Sequence, residues 1–318
     1  MLDRKSFFNN ILKTKNFNKI NKAFKLLKSD IKSFKIPFLQ SFEKNYDFDF
    51  DNKIIRKFSK YENILIIGMG GSILGTKAIY NFFKNSINKK IFFFDNLDKE
   101  LQINYKKNIN PKKTCFIIIS KSGNTLETLI NLNLFFSKNL LKNKLVIISE
   151  IKNSSLMNIA DKYNAEVIEY KNFIGGRYSV MSEASMFPTA LMNLDINKFK
   201  NLNGLLNQKS FVSALLNNVS SINTLNQKGF KNSIILNYDS GLENLSLWYQ
   251  QLVGESLGKK GKGIMPTIST CPRDHHSLLQ LYLDGPKDKF FTFLSRAPKK
   301  NDKLQSIINA QCQATVNI

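Results

Sequence analysis

Short apolar runs alternate with amphipathic stretches from residue 63 onward. Between them, apolar residues recur with helical spacing near residues 73–84, 125–138 and 154–163. Alternation of almost fully apolar strands with helices predicts a parallel sheet that is covered on both faces. The runs predicted as strands are NILIIGM (63–69), KIFFFD (90–95), TCFIIIS (114–120), KLVIIS (144–149) and AEVIEY (165–170).

A second α/β half follows a helical stretch near residues 205–227. Its predicted strands are 232–238, 264–269 and 289–294, and its predicted helices are 241–257, 273–283 and 302–314. Residues 1–50 have an irregularly amphipathic helical pattern. We therefore expect an N-terminal helical segment (1–50), a first α/β domain (51–200) and a second (201–318). No linker composition marks the joint, so we expect the halves to pack tightly.

The composition is that of a globular protein, with 42% hydrophobic and 22% charged residues. No apolar run is long enough to span a membrane, and the N-terminus lacks the apolar core of a secretory signal. The three cysteines are far apart and form no CxxC pair, which argues against a disulfide framework or a zinc site. These features predict a cytoplasmic protein.

The net charge is +23, from 47 basic and 24 acidic residues. Such a charge is compatible with nucleic-acid binding. However, the lysines are spread along the whole chain, alongside abundant Asn, Ile and Phe, so a compositional bias explains them better than a specific nucleic-acid surface. A basic surface would still attract a phosphorylated small molecule.

A glycine-rich loop, IGMGGSILG (67–75), directly follows the first predicted strand. Its glycines permit close approach of backbone to a ligand, and Ser72 occupies the expected N-cap of the next helix. A helix start of this kind suits phosphate. A dinucleotide site is the alternative, with Asp95 as the ribose-binding acid, but Ile73 stands where GxGxxG requires glycine. A glycine turn without a ligand also remains open.

A second loop, SKSGNT (120–125), again lies between an apolar strand and a predicted helix. The hydroxyls of Ser120, Ser122 and Thr125 and the charge of Lys121 are suited to phosphate oxygens. An ordinary Ser/Thr helix cap is the alternative. Two such loops at the carboxyl ends of parallel strands form a stronger signal than one, because ligands of open α/β sheets bind at this edge.

Three later motifs carry candidate catalytic groups. GGRYS (175–179) places Arg177 after two glycines, where a guanidinium can face an anion. Gln251 and Glu255 share one helical face, and Glu255 is either a general base or the partner of Lys259 in a surface ion pair. His275 and His276 are the only histidines of the chain. Each could act in acid–base chemistry or be structural.

The two loops together resemble the sugar isomerase (SIS) superfamily. In order, IGMGGSILG, SKSGNTLETL, GGRYSVMSEASMFP, WYQQLVGESLGKKGKG and DHHSLLQLYLDGP resemble the phosphoglucose isomerase family from about residue 60 to the end of the chain. The resemblance implies two doubly wound parallel sheets, each an α/β/α sandwich. It also implies interconversion of glucose 6-phosphate and fructose 6-phosphate through a cis-enediol, without metal or cofactor. The family further implies a homodimer whose subunits share the active site.

The resemblance also assigns roles to individual residues. Glu255 would be the base, His276 would assist ring opening, with His275 as the alternative, and Arg177 would stabilise the enediolate. The remaining residues would contact the substrate and its phosphate: Gly71, Ser72, Ser120, Lys121, Ser122, Gly123, Asn124, Thr125 and Gln251.

One feature departs from the family pattern. Family members carry a catalytic lysine in a C-terminal segment, for which no counterpart is found after LQSIINAQCQATVNI. We therefore expect the second half to be C-terminally incomplete. A non-catalytic phosphosugar-binding protein, or a truncated inactive isomerase, is the main alternative. A bifunctional isomerase that also accepts phosphomannose fits the histidine motif and GGRYS less well.

Overall fold

The computed structural model describes residues 15–134, 141–299 and 301–318. All pairings between its strands are parallel. The strands are β1 (Asn63–Gly68), β2 (Lys90–Phe94), β3 (Thr114–Ile119), β4 (Leu145–Ser149), β5 (Glu166–Glu169), β6 (Asn232–Asn237), β7 (Met265–Thr270) and β8 (Lys289–Leu294). The predicted fold class, α/β with two parallel sheets, is confirmed.

Most of the helices lie between strands, and several of them occupy stretches where the hydrophobic pattern predicts a helix. They are α1 (Lys15–Lys32), α2 (Asn52–Ser59), α3 (Gly71–Phe83), α4 (Lys99–Asn108), α5 (Leu126–Asn133), α6 (Ser155–Tyr163), α7 (Glu183–Leu191), α8 (Lys209–Gln227), α9 (Glu243–Leu257), α10 (Leu279–Asp284) and α11 (Lys303–Val316). Residues 1–14 of the predicted N-terminal helical segment, and residues 135–138 of the helix predicted at 125–138, lie outside the described residues.

The chain divides into two compact units. The five-stranded unit contains residues 46–200 and 241–252. Its strand order is β2-β1-β3-β4-β5, and β1, β3 and β4 are buried along their whole length. The order of strands reverses direction between β1 and β3, which is the point where open α/β sheets bind ligands.

The three-stranded unit contains residues 15–45, 201–240 and 253–318, with strand order β7-β6-β8. Its apolar centre is formed by residues of β6, the end of β7 and α11, including Leu236, Tyr238, Cys271 and Cys312. Helix α1 packs on α8, where the Asn16 side-chain amide donates to the Thr224 hydroxyl at 3.0 Å.

Candidate active site

The glycine loop and the hydroxyl loop begin side by side. Gly68, the last residue of β1, pairs in register with Ile119, the last residue of β3. Each strand then passes through its loop into a helix, α3 or α5. Both helices therefore start at the carboxyl edge of the sheet, where their unsatisfied N–H groups and positive dipole ends favour an anion.

The glycine loop packs directly on the arginine segment. A Cβ atom on Gly71 would lie 2.2 Å from the carbonyl carbon of Gly176 and 2.6 Å from the backbone nitrogen of Arg177. No side chain fits there, so this contact explains the glycine at position 71. Ser179 strengthens the contact, because its hydroxyl donates to the Gly71 carbonyl at 3.0 Å.

The predicted N-cap at Ser72 is wrong. Gly70 has φ +52° and precedes the first residue of α3, so the turn is completed earlier than expected and Ser72 lies within the first helical turn. A left-handed conformation is readily adopted by glycine. Ser72 is almost buried, at 9% exposure.

The hydroxyl loop is closed by its own polar groups. The hydroxyls of Ser120 and Thr125 are 2.8 Å apart, and the Gly123 N–H donates to the Ser120 carbonyl at 3.1 Å. Gly123 has φ +70°, and a Cβ there would lie 2.3 Å from the hydroxyl oxygen of Ser154. The loop is therefore a tight turn. Thr125 is the N-cap residue of α5, but its hydroxyl is hydrogen-bonded to the Ser120 hydroxyl and not to the N–H groups of the helix.

Other side chains of this loop shape its outer part. The Lys121 ammonium donates to the Asn172 carbonyl at 2.6 Å and lies 3.7 Å from the Glu150 carboxylate. Asn124 accepts a hydrogen bond from the Ser155 N–H at 2.9 Å. Ser122 is exposed and accepts a weak bond from the Asn124 N–H at 3.2 Å.

Arg177 is positioned first through its backbone. The segment Gly176–Met181 is a 3-10 helix, and the Arg177 carbonyl accepts a hydrogen bond from the indole N–H of Trp248 at 3.1 Å. The guanidinium carbon lies 4.5 Å from the centre of the Tyr178 ring, which is a cation–π distance. The side chain of Arg177 is half-buried.

Helix α9 contacts both segments. A Cβ on Gly70 would lie 2.9 Å from the side-chain nitrogen of Gln251, so this amide lies against the glycine loop. Trp248 lies three residues earlier on the same helix and holds the arginine segment. The structure thus brings the predicted site residues Gly71, Arg177 and Gln251 close together. Sequence reasoning missed Trp248, and the signal available was that it is the only tryptophan of the chain.

Glu255 follows Gln251 by one helical turn on α9 and is exposed. The alternative role of Glu255, a surface ion pair with Lys259 one helical turn later, is not supported by the geometry of the helix. Helix α9 ends at Leu257, and Lys259 lies in a turn where it pairs with Lys262. The two residues therefore do not share a helical face.

The two histidines have different surroundings. Both lie in the 3-10 helix Arg273–His276. The His275 imidazole is 2.7 Å from the Tyr238 hydroxyl and 3.4 Å from that of Thr315. Burial, followed by the neighbouring charge of His276, lowers the pKa of His275. His276 is exposed. His275 is thus built into the three-stranded unit, and His276 is the one accessible from solvent.

The structure argues against the dinucleotide alternative, because Asp95, the proposed ribose-binding acid, is paired with Lys77. The Asp95 carboxylate lies 2.6 Å from the Lys77 ammonium, and both side chains are largely buried. That carboxylate is satisfied within the protein.

Within the described parts of the chain, no group of three or more His, Cys, Asp or Glu residues is arranged to hold a metal ion. None of the helices described has the length and apolar content needed to cross a membrane.

The fold and the site define a doubly wound α/β protein with a glycine-rich loop and a hydroxyl-rich loop at the switch point of its five-stranded sheet. The family model of phosphoglucose isomerase matches residues 52–270. The chain belongs to the phosphoglucose isomerase family.

Curated relatives agree with this family. The chain is 38% identical over 260 residues to a glucose-6-phosphate isomerase from Methanocaldococcus jannaschii, a match covering 78% of this chain and 63% of the relative. It is 34% identical over 301 residues to a probable glucose-6-phosphate isomerase from Methanococcus maripaludis, covering 90% of this chain and 68% of the relative. The matched part of the chain thus spans about two thirds of the length of these relatives.

Solved structures share the fold. A hypothetical protein from Thermus thermophilus superposes with a TM-score of 0.71 at 22% identity, covering 94% of this chain and 80% of the other. A glucose-6-phosphate isomerase from Chlamydia trachomatis superposes with a TM-score of 0.66 at 23% identity, covering 83% and 57%. These similarities support the SIS-type fold predicted from the two loops.

Proposed function

We propose that this protein is an aldose–ketose isomerase that interconverts glucose 6-phosphate and fructose 6-phosphate. One observation carries the proposal: Gly71 is in backbone contact with Gly176 and Arg177, while the Gln251 amide lies against the same glycine loop. An arginine on a held backbone, a glycine-rich loop at a helix start and a polar side chain are thereby assembled at the switch point of the sheet. Two curated relatives are named as a glucose-6-phosphate isomerase and a probable one, which supports glucose 6-phosphate as one of the two sugars.

The substrate phosphate binds at the hydroxyl loop in this proposal. The hydroxyl oxygens of Ser120 and Thr125 are 2.8 Å apart, and α5 starts directly after Thr125. Hydroxyl and backbone donors at a helix start suit a phosphate dianion. A phosphate remote from the reacting carbons supplies binding energy that positions the sugar for the chemical step.

Glu255 is the proposed base of the chemical step. Removal of the proton from C2 of the open-chain aldose leaves an enediolate, and return of the proton to C1 gives the ketose. Gln251, one helical turn before the base, contacts the substrate in this proposal. General acid–base catalysis of this kind contributes about 10²–10⁴-fold to a rate.

Arg177 stabilises the negative charge of the enediolate. Its backbone is held by Trp248 on one side and by the glycine loop on the other, so the guanidinium is preorganised before charge develops. His276 assists ring opening, for which its exposure makes it better suited than His275, whose imidazole is bonded to Tyr238.

Assembly and location follow from the family resemblance. We place the protein in the cytoplasm as a homodimer in which the partner subunit contributes its histidine to the shared site. The three cysteines are all free and buried, as suits a reducing compartment. A non-catalytic phosphosugar-binding protein is less well supported, because sugar-phosphate binding alone requires neither a general base nor a fixed guanidinium.

The direct test is the isomerase activity of the purified 318-residue chain. Fructose 6-phosphate is supplied, and glucose 6-phosphate is detected through a coupled dehydrogenase. We expect activity that is lost in Glu255→Gln and retained in Glu243→Gln, a matched change of an exposed glutamate at the start of the same helix. A folded wild-type chain that binds the sugar phosphate without converting it would refute the isomerase and support the binding protein.

A further inference from the structure

A buried carboxylate lies outside the proposed substrate-binding residues. Glu183 is the first residue of α7 and is 1% exposed. The Tyr46 hydroxyl donates to both of its carboxylate oxygens, at 3.0 and 3.1 Å, and the Asp49 backbone N–H donates to one of them at 3.2 Å. Burial raises the pKa of this carboxyl group, although the hydrogen bonds and Lys171 oppose the effect. A charge in such a place is costly and calls for a physical explanation.

Lys171 completes this buried group. Its ammonium lies 3.8 Å from the Glu183 carboxylate, 4.9 Å from the centre of the Tyr46 ring, and donates to the Asp47 carbonyl at 3.1 Å. Its side chain is 25% exposed. Lys171, Glu183 and Tyr46 therefore form one connected cluster, which we name the clamp.

The clamp brackets the arginine segment along the chain. Lys171 precedes Gly175 and Gly176, and Glu183 follows the 3-10 helix that carries Arg177. The ion pair thus joins the entry of this segment to its exit. Two glycines and a short 3-10 helix define a conformation poorly on their own, because glycine has wide backbone freedom and 3-10 hydrogen bonds have poorer geometry.

We propose that Lys171, Glu183 and Tyr46 are positioning residues that fix Arg177 for stabilisation of an anionic intermediate. The inference rests on the proposed function of Arg177. Buried ion pairs are weak contributors to stability, since hydrophobic replacements are often equally stable. Net stability therefore does not explain the Lys171–Glu183 ion pair. A role in holding both ends of the arginine segment does explain it. A misplacement of about 1 Å can lower a catalytic rate on the order of a hundredfold.

The test compares two sugar-phosphate ligands that differ in charge at the end of the molecule that Arg177 is proposed to contact. Arabinonate 5-phosphate carries a carboxylate in place of the enediolate, whereas glucitol 6-phosphate is neutral at that end. Calorimetry gives the affinity of each ligand for the full chain. We expect the wild type to prefer the carboxylate ligand, and Glu183→Gln and Lys171→Met to lose about tenfold of this preference, as one displaced charge-assisted contact would cause. Affinity for glucitol 6-phosphate stays unchanged.

The two variants change charge in opposite directions. Loss of a negative charge at Glu183 would strengthen anion binding through the field of the protein, and loss of a positive charge at Lys171 would weaken it. A fall in preference in both variants therefore reports displacement of Arg177. Tyr46→Phe keeps the ring and removes only the hydroxyl, and we expect a smaller fall in the same direction.

Glu166→Gln is the matched control. It breaks the exposed Lys57–Glu166 pair of the same unit, whose charged atoms are 2.7 Å apart, and it should leave the preference unchanged. Equal losses for both ligands, or no loss in either clamp variant, would overturn the positioning role. A wild type that binds neither ligand would refute the proposed function itself, and with it the link between the clamp and Arg177.

Discussion

Substitution of Gly71 by alanine tests the contact on which the site is built. The new Cβ would lie 2.2 Å from the carbonyl carbon and 2.3 Å from the carbonyl oxygen of Gly176, and 2.6 Å from the Arg177 nitrogen. All three are backbone atoms, so no rotamer change relieves the clash. Ordinary contact begins near 3.4 Å, so the two backbones must separate by about 1 Å.

This separation is transmitted to Arg177, because the segment is held by Ser179 on the glycine loop and by Trp248. We expect kcat/KM to fall about a hundredfold, the order of magnitude that a 1 Å misplacement causes. Overpacking of this kind also lowers the free energy of unfolding by about 1–3 kcal/mol.

The assay is the initial rate of fructose 6-phosphate conversion at several substrate concentrations, with thermal unfolding recorded for each variant. Gly254→Ala is the control, since its added methyl would meet no described atom within 4 Å. It should keep its activity. A folded Gly71→Ala variant within about threefold of wild-type kcat/KM would refute the claim that this contact positions Arg177.

Three further predictions concern single residues. His276→Asn should lower kcat about 10²–10⁴-fold in the coupled assay, whereas His275→Asn should mainly lower the unfolding temperature; the reverse pattern would reassign ring opening to His275. Thr125→Val should raise KM about tenfold with kcat little changed, since it removes one hydroxyl from the phosphate loop; an unchanged KM would place the phosphate elsewhere. Burial raises the pKa of Glu183 above its ordinary value, so the stability that this group contributes is fully present below its unfolded pKa and is lost as pH rises through the folded one. Urea unfolding should show Glu183→Gln gaining free energy of unfolding relative to wild type as pH rises from 4 to 8, and a difference that is independent of pH would contradict the raised pKa.

The strands were the most predictable part of the fold. The run predicted at 114–120, which contains β3, is apolar on both faces, and β3 is buried along its whole length. Short apolar runs that alternate with helical patterns are typical of strands covered by helices on both faces. The order of strands could not be read in the same way, because it depends on contacts between residues far apart in the chain.

Two helical predictions show where the hydrophobic pattern fails. Helix α4, KELQINYKKN, was missed, because its polar residues obscure the apolar stripe; its signal is the N-cap Asp98, which accepts bonds from the N–H groups of Glu100 and Leu101. The helix predicted at 273–283 is divided into a 3-10 helix and α10. Ser277 and Leu278 have φ near −120°, outside the helical range, so the break lies between the two histidines and Leu279.

The sequence was sufficient to predict which loops form the candidate site. It was not sufficient to predict how these loops pack against one another. Each loop has a local signal, such as glycine beside Ser72 or the hydroxyls after β3. The packing of Gly71 on Gly176 has no local signal, because it depends on backbones that are distant in sequence. The same is true of Tyr46 and Glu183, whose hydrogen bond joins residues separated by 137 positions.

The central claim is that Glu255 carries a proton between C1 and C2 through an enediol. It is tested most directly by converting fructose 6-phosphate in deuterium oxide and locating deuterium in the product by NMR. We predict deuterium at C2 of at least part of the glucose 6-phosphate formed by the wild type, and no conversion by Glu255→Gln. Undiminished conversion by the variant, with deuterium still incorporated at C2, would contradict proton transfer by this residue.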